Sequence, residues 1–151
     1  MKNAIRTITW RFRESSELAD EFAYIDSVSI NTPEDVIKYY HSLFRGPVTE
    51  RLIVFWLDNL NWSLGFEIIQ EGFVDLSLVH SREVFRGALV TTAASIVLAH
   101  NSCPGTVDPS LEDIAFAKRT VEAGKIIGIQ VHDHIIFNGS IYISMADRGL
   151  L

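Results

Sequence analysis

The sequence feature that most constrains the fold is a short run of small and apolar residues, Ser95 to Ala99 (SIVLA), between two segments of helical character. Polar and apolar residues do not alternate in this run, so a strand formed here has to be covered on both faces. The helical segments on either side are the elements that can cover it. The run therefore predicts a buried central strand in an α/β domain.

Three helices are indicated by capping residues followed by apolar residues at helical spacing. The first begins with Thr32 to Asp35 (TPED), which combines a capping hydroxyl, a proline at the first helical position and acids in the first turn. Gly46-Pro47 ends that helix. The second helix opens at Ser81 and runs to about Ala94. The third opens with a capping-box pattern at Ser110 and runs to about Ile127.

The remaining strands are predicted as two antiparallel hairpins. An Asn-Gly turn, the strongest short hairpin signal, joins the strands of the second hairpin. The predicted segments are Leu52 to Leu57, a turn from Asp58 to Asn61, Trp62 to Ile69, Ile129 to Phe137, the Asn138-Gly139 turn and Ser140 to Ser144. The order helix, two strands, helix, strand, helix, hairpin predicts an α/β domain with a mixed sheet and flanking helices.

The first 31 residues differ from the rest of the chain in their pattern. Ile8, Trp10 and Phe12 alternate with polar residues, which predicts an edge strand of period two. We therefore divide the chain into an N-terminal segment, residues 1–31, and one domain, residues 32–151.

Composition limits the classes of protein and partner. Of 151 residues, 48% are hydrophobic and 21% are charged, which suffices for one core without disulfides. The formal net charge of -6 disfavours a broad phosphate-binding surface, and with it a nucleic-acid partner. A single cysteine, Cys103, and the lack of a long apolar stretch predict a cytoplasmic protein without an intrachain disulfide and without a membrane partner.

The segment that is richest in chemical information is His100 to Asp113 (HNSCPGTVDPSLED), where the central strand meets the third helix. It follows the RadC-type form of a metalloprotease signature, H-N-H-P-S-G followed after a short gap by P-S-x-x-D. Without insertion or deletion, the chain matches this signature at His100, Asn101, Gly105, Pro109, Ser110 and Asp113. Four further segments also match the family: ERLIVFWLDN, SREVFRGAL, DHIIF and SMADRGLL. The chain from about Thr32 to Leu151 therefore resembles a RadC-type member of the JAB/MPN (JAMM) metalloprotease superfamily.

This resemblance implies a fold, a metal and a set of site residues. The fold would be the mixed-sheet, cytidine-deaminase-like JAB/MPN domain. The family holds zinc with two histidines and one aspartate and leaves the fourth position open. By position, His100 and Asp113 would be zinc ligands, and Ser110 would stabilise the tetrahedral oxyanion. The general base would be Glu50, which opens the first strand, with Glu67 as second choice.

The chain departs from the family pattern in one place. Ser102 stands where the second histidine is expected, and Cys103 and Pro104 replace the Pro-Ser that follows it. Serine is a poor zinc ligand beside imidazole, so zinc binding is expected to be weakened. Cys103 would bind zinc as a thiolate, but it is offset by one residue, so the loop would have to rearrange.

The candidate site residues also have ordinary structural explanations. Ser110 and Asp113 would serve as the two ends of a helix capping box. His100 would be a hydrogen-bonded histidine at the end of a strand, and Glu50 a solvated charge.

Two further groups of residues offer other chemistry. His132 and His134 lie two residues apart on a predicted strand and are expected to share one face, as a metal-binding pair would. His134, however, belongs to the DHII-like segment of the family, which is not a ligand in the family pattern. Cys103 beside His100 would suit a thiol nucleophile, although no third, orienting group accompanies them.

Three functions follow from these observations. The resemblance implies a zinc-dependent metallopeptidase or isopeptidase acting on a protein or peptide, and the change at Ser102 predicts weak or absent activity. One alternative is a catalytically inactive module that holds a protein partner in the groove of the fold. Another is a role in DNA repair, which the family name suggests and the acidic charge argues against.

Overall fold

The computed structural model describes residues 28–45, 48–103 and 105–151. The helices are α1 (Pro33–Leu43), α2 (Ser81–Val90) and α3 (Leu111–Ile127), and a short 3-10 turn forms at Leu76–Leu78. The strands are β1 (Glu50–Leu57), β2 (Ser63–Gly72), β3 (Ser95–Asn101), β4 (Gln130–Asn138) and β5 (Ile141–Ser144). This order confirms the predicted α/β domain with flanking helices. The edge strand predicted around Trp10 lies outside the described residues.

The five strands form one mixed sheet in the order β2-β1-β3-β4-β5, with β3 at its centre. Strands β3 and β4 run parallel, and the other neighbouring pairs are antiparallel. A parallel pair needs a crossover connection, and α3 supplies it. All seven residues of β3 are buried, which confirms the central strand predicted from its apolar run.

Helices cover both faces of the sheet, so alternate residues of each strand enter different cores. On one face, Phe55 and Val97 pack in a core with residues of α1. On the other face, Val54 and Leu98 pack in a core with residues of α2 and α3. By the same alternation, His100 lies on the face that α2 and α3 cover.

The helix ends follow from local hydrogen bonds and backbone conformation. At the start of α1, Thr32 Oγ1 accepts the N–H of Asp35 at 3.3 Å, and the Asp35 carboxylate accepts the N–H of Thr32 at 3.0 Å, as the capping pattern predicts. Helix α3 ends at Gly128, whose φ of 76° is the left-handed conformation that glycine adopts without strain. Within the described ranges, no helix has the length and apolar content needed to cross a bilayer.

Helix α2 is shorter than the sequence predicted and ends at Val90 rather than near Ala94. Thr92 takes a left-handed φ of 54°, which a helix cannot contain. The N–H of Ala94 then donates to the carbonyl of Leu57 at 2.9 Å and starts the entry into β3. A tertiary hydrogen bond to β1 therefore limits this helix.

Strand β4 contains a bulge at His132. Ile96 of β3 pairs with Val131, whereas the next residue, Val97, pairs with Asp133. One extra residue of β4 thus lies between two successive pairs, and the alternation of faces is offset beyond it.

Candidate metal centre

Three residues selected from the sequence meet at one end of the sheet. His100 lies near the end of β3, and Glu50 begins β1, which is antiparallel to β3 and pairs Leu52 with His100. Asp113 lies in the first turn of α3, the helix that follows β3. Nε2 of His100 is 2.9 Å from Oε1 of Glu50, and its Nδ1 is 3.5 Å from Oδ1 of Asp113. The topology therefore joins residues that are up to 63 positions apart into one cluster (Asp113 minus Glu50).

The two carboxylate oxygens of Asp113 face different groups. Oδ2 accepts the backbone N–H of Ser110 at 2.8 Å and its hydroxyl at 2.6 Å, while Ser110 Oγ accepts the N–H of Asp113 at 3.1 Å. These bonds form the capping box that the sequence predicted. Oδ1 is buried, lies on the side of His100 and has no hydrogen-bond partner. Capping and metal binding therefore do not compete for the same oxygen.

A second histidine, His134, joins this cluster from β4. It pairs with Leu98 of β3, so its side chain lies on the same sheet face as that of His100. The two imidazole rings stack at a centroid distance of 6.4 Å, and the ring of Phe116 on α3 meets His134 edge-on at 5.7 Å. His134 is fully buried. One donor atom each from His100, Asp113 and His134 lies within 4.8 Å of the other two.

The expectation that His132 and His134 share a face is wrong, because the bulge interrupts the alternation between them. His132 lines a cavity of about 240 Å³ with Val36 of α1 and Val97, on the opposite face of the sheet. The sequence suggested a metal role for His134 only as a pair with His132, and His134 was not chosen as a zinc ligand because the family pattern gives it no such role. The signal that would have indicated it is an imidazole that directly precedes an apolar run, Ile135 to Phe137, in a strand next to β3.

The cluster has unused hydrogen-bonding capacity. Among the described residues, six buried side-chain nitrogen or oxygen atoms have no hydrogen-bond partner, and four of them are here: Nδ1 of His100, Oδ1 of Asp113 and both ring nitrogens of His134. A buried polar group without any partner costs about 1–3 kcal/mol. This cost applies to the ring nitrogens of His134, whereas Nδ1 of His100 and Oδ1 of Asp113 face each other at 3.5 Å. Two imidazoles and a carboxylate are a donor set that suits zinc and related divalent metals. The residues present therefore fit a metal ion.

Burial and neighbouring charges shift the pKa values of three groups in the cluster. Burial on its own would lower the pKa of His100, but the carboxylates of Asp113 and Glu50 outweigh it, so the pKa is raised. Burial would raise the pKa of Asp113, yet the neighbouring imidazole of His100 and the hydrogen bonds from Ser110 outweigh it and lower the pKa to about 2. For His134, burial and the neighbouring His100 charge lower the pKa to about 4. His134 is therefore neutral near pH 7, which is the form of imidazole that binds metals.

Ser102 and Cys103, the described residues among those that depart from the family pattern, do not join the cluster. The hydroxyl of Ser102 packs against Gly105, where an added Cβ would lie 2.5 Å from it. The N–H of Ser102 donates to the carbonyl of Phe137 at 2.8 Å. Cys103 lines a different cavity, of about 180 Å³, with Tyr40 of α1 and Phe137, which belong to the core on the other face. Neither side chain stands in for the missing imidazole.

The two candidates for the general base lie in different surroundings. Glu50 contacts His100 and also accepts the N–H of Val74, through Oε2 at 3.4 Å. Glu67 on β2 is held by Arg86 of α2, whose Nε donates to it at 2.6 Å. Of the two, Glu50 is therefore the one that borders the cluster.

The fold and the cluster together define the class of protein. A mixed sheet with helices on both faces and a His-Asp pair where the central strand meets the next helix agrees with a JAB domain. A model of the RadC-like JAB domain family matches residues 30–150. The chain belongs to this family, and the resemblance inferred from its motif is confirmed.

Relatives of known sequence support the same assignment. The chain is 38% identical over 122 residues to a UPF0758 protein of Methanosarcina mazei, a match that covers 81% of this chain and 53% of that protein. It is 40% identical over 126 residues to a UPF0758 protein of Bacillus cereus, covering 83% and 56%. It is 41% identical over 120 residues to one of Pelobacter propionicus, covering 80% and 52%. The chain thus spans about half the length of these relatives.

Proposed function

We propose that this domain is a metal-dependent hydrolase of the metallopeptidase or isopeptidase class, with activity reduced by the change at Ser102. Its substrate would be a protein or peptide, and its metal would be zinc. The observation that carries the proposal is the position of two buried atoms that could bind a metal, Nδ1 of His100 and Oδ1 of Asp113. They lie 3.5 Å apart without a hydrogen bond, and the carboxylate of Glu50 is next to His100. Imidazole and carboxylate suit zinc, and a carboxylate beside them suits a general base.

Each residue of this group has a defined part in the proposal. His100 and Asp113 would hold the metal. A divalent metal held there would polarise a scissile carbonyl and lower the pKa of water at the site. The side chain of Glu50 is 22% exposed and so borders the opening of the cluster, where it would accept the proton of an attacking water. Its contact with the N–H of Val74 orients the carboxylate towards His100.

Ser110 would stabilise the oxyanion only after a local rotation. Its hydroxyl has one hydrogen, and that hydrogen is directed to Oδ2 of Asp113 at 2.6 Å. Donation to a substrate would therefore require the hydroxyl to turn away from Asp113. This competition, together with the missing imidazole at position 102, is why we expect slow turnover.

Glu50→Gln tests the role of the base. Glutamine keeps the size of the side chain and a hydrogen bond to His100, but it does not accept the proton. We expect the untagged, zinc-loaded protein to hydrolyse a fluorogenic peptide slowly, and Glu50→Gln to lose about 100- to 10,000-fold of that rate with unchanged zinc content. Glu67→Gln is the matched control, because Glu67 pairs with Arg86 instead.

Other outcomes separate this proposal from its alternatives. Equal rates for the parent and Glu50→Gln would remove Glu50 from the chemistry. A zinc-loaded parent that hydrolyses nothing but binds a protein partner would favour an inactive binding module. Salt-sensitive binding of duplex DNA would instead support a role in DNA repair.

A further inference from the structure

The proposed roles of His100, Asp113 and Glu50 do not explain why an imidazole is present at His134. Among the described residues, it is the only titratable side chain that is fully buried and makes no hydrogen bond. A neutral imidazole carries one donor and one acceptor, and both are unsatisfied here. Buried polar groups without partners are rare in folded proteins and call for a specific cause.

Packing alone does not supply that cause. His134 lies opposite Leu98 and against the ring of Phe116, in surroundings that a leucine side chain would fill without unpaired atoms. The unpaired atoms that accompany it in the cluster are Nδ1 of His100 and Oδ1 of Asp113. An imidazole at this position is therefore placed towards the same point as the two residues assigned to the metal.

The distances suit a shared metal. In a tetrahedral site whose nitrogen and oxygen ligands lie about 2.0–2.2 Å from zinc, two ligand atoms are about 3.3–3.6 Å apart. One donor atom from each of the three residues lies within 4.8 Å of the others, so side-chain movements of up to about 1.5 Å would bring them to a common ion. No further group of three or more His, Cys, Asp or Glu ligand atoms is found among the described residues.

We infer that His134 supplies the third protein ligand, in place of the imidazole that Ser102 has removed. The donor set of two imidazoles and one carboxylate is then complete, but one imidazole comes from β4 instead of the loop after β3. The residues that would hold the metal lie on the β3-β4 pair and at the start of α3, beside Phe116. Three protein ligands would leave a fourth position for water, as a catalytic metal requires. This inference rests on the proposed metal binding by His100 and Asp113.

His134→Leu in the full chain tests this inference, with zinc titrated against a competing chelator. We expect zinc affinity to fall by more than the roughly 100-fold that loss of an outer-shell partner costs, because an inner ligand is lost. Without metal, the variant should melt at or above the parent temperature, because two unpaired buried nitrogens are gone. His132→Leu is the matched control, since it removes a histidine two positions away on the other face, and its zinc affinity should equal that of the parent.

Parallel titrations of Asp113→Asn separate the failure of this inference from the failure of the proposed function. Loss of affinity in Asp113→Asn with none in His134→Leu would overturn the ligand role of His134 and leave the metal site standing. Unchanged affinity in both variants, or no zinc binding by the parent, would overturn both and favour a buried water between the same atoms. If His134→Leu does not fold, His134→Gln keeps a polar side chain there, and parent-like zinc affinity in it would overturn the inference.

Discussion

At the scale of single residues, Asp113 combines a structural and a chemical part because its two oxygens have different neighbours. Oδ2 accepts both hydrogens that Ser110 offers and so completes the cap of α3. Oδ1 is left for His100 or a metal. Asp35 occupies the equivalent position in the capping box of α1, but its carboxylate accepts the N–H groups of Asn31 and Thr32 and bonds to no histidine. The pair Asp113 and Asp35 therefore allows the two roles to be measured separately.

Asp113→Asn should abolish the rise in melting temperature that zinc causes in the parent, because asparagine keeps an oxygen for the cap but is a poor metal ligand. Asp35→Asn should lower stability by about 1 kcal/mol or less and leave the zinc effect intact, since only a cap is altered. Differential scanning calorimetry with and without zinc measures both. A zinc-dependent rise that survives in Asp113→Asn would remove Asp113 from the metal site.

At the scale of elements, the loop between β3 and α3 is the part of the site that departs from the family. Its length matches the signature, since His100, Ser110 and Asp113 keep their spacing. Its chemistry differs, because Ser102 packs on Gly105 and Cys103 faces the other core. A loop that has kept its length is expected to accept the family's residues again.

The combined change Ser102→His, Cys103→Pro and Pro104→Ser should raise zinc affinity, because it returns an imidazole to the loop. It should also restore much of the affinity lost in His134→Leu, since the two imidazoles would then substitute for each other. Chelator competition measures both effects. The control is the double variant Cys103→Pro with Pro104→Ser, which lacks the histidine. A gain in zinc affinity as large in this control as in the triple variant would show that the imidazole is not the cause.

A second element-scale feature is the close packing of α2 on β1 through Trp56. The Trp56 ring lies between Gly65 of β2 and Gly87 of α2. A Cβ on Gly87 would come within 2.0 Å of the ring, whereas one on Gly65 would be 3.1 Å away. Gly87 therefore sets how closely α2 approaches the sheet.

Gly87→Ala should destabilise the protein by about 1–2 kcal/mol, because overpacking against Trp56 exceeds the gain of about 1 kcal/mol in helix propensity. Urea unfolding measures the change. In the double variant with Trp56→Leu, Gly87→Ala should cost nothing or stabilise, since the ring is gone. An equal loss in both backgrounds would show that the Trp56 contact is not the cause.

At the scale of the whole molecule, the candidate centre joins elements that are distant in the chain. Its side chains come from β1, β3, β4 and the start of α3, and all of them lie on one face of a single sheet. A ligand bound there stabilises the native arrangement of all four elements together. Metal binding and global unfolding are therefore expected to be coupled.

Zinc at about 100 times its dissociation constant should stabilise the protein by about 2.7 kcal/mol, which corresponds to a rise of about 5–10 °C in melting temperature for a domain of this size. The transition should remain single, because no described element folds around the metal alone. Chelator should reverse the rise. Two separate transitions in the presence of zinc would contradict the coupling.

Much of the architecture was predictable because it depends on local signals. The uninterrupted apolar run of β3 required cover on both faces, and the caps at Thr32 and Ser110 use hydrogen bonds that span three residues. The length of α2 was not predictable in the same way. Its end depends on a hydrogen bond between Ala94 and Leu57 of β1, which no local pattern encodes.

For the candidate site, the sequence by itself determined the residues that one continuous motif contains, His100, Ser110 and Asp113. The family resemblance favoured Glu50 over Glu67, and the tertiary structure brings Glu50 to His100 through the antiparallel pairing of β1 with β3. It also decided that His134 belongs with them and His132 does not. A one-residue bulge reverses the face of a strand, and a bulge is set by pairing between strands rather than by the period of the sequence.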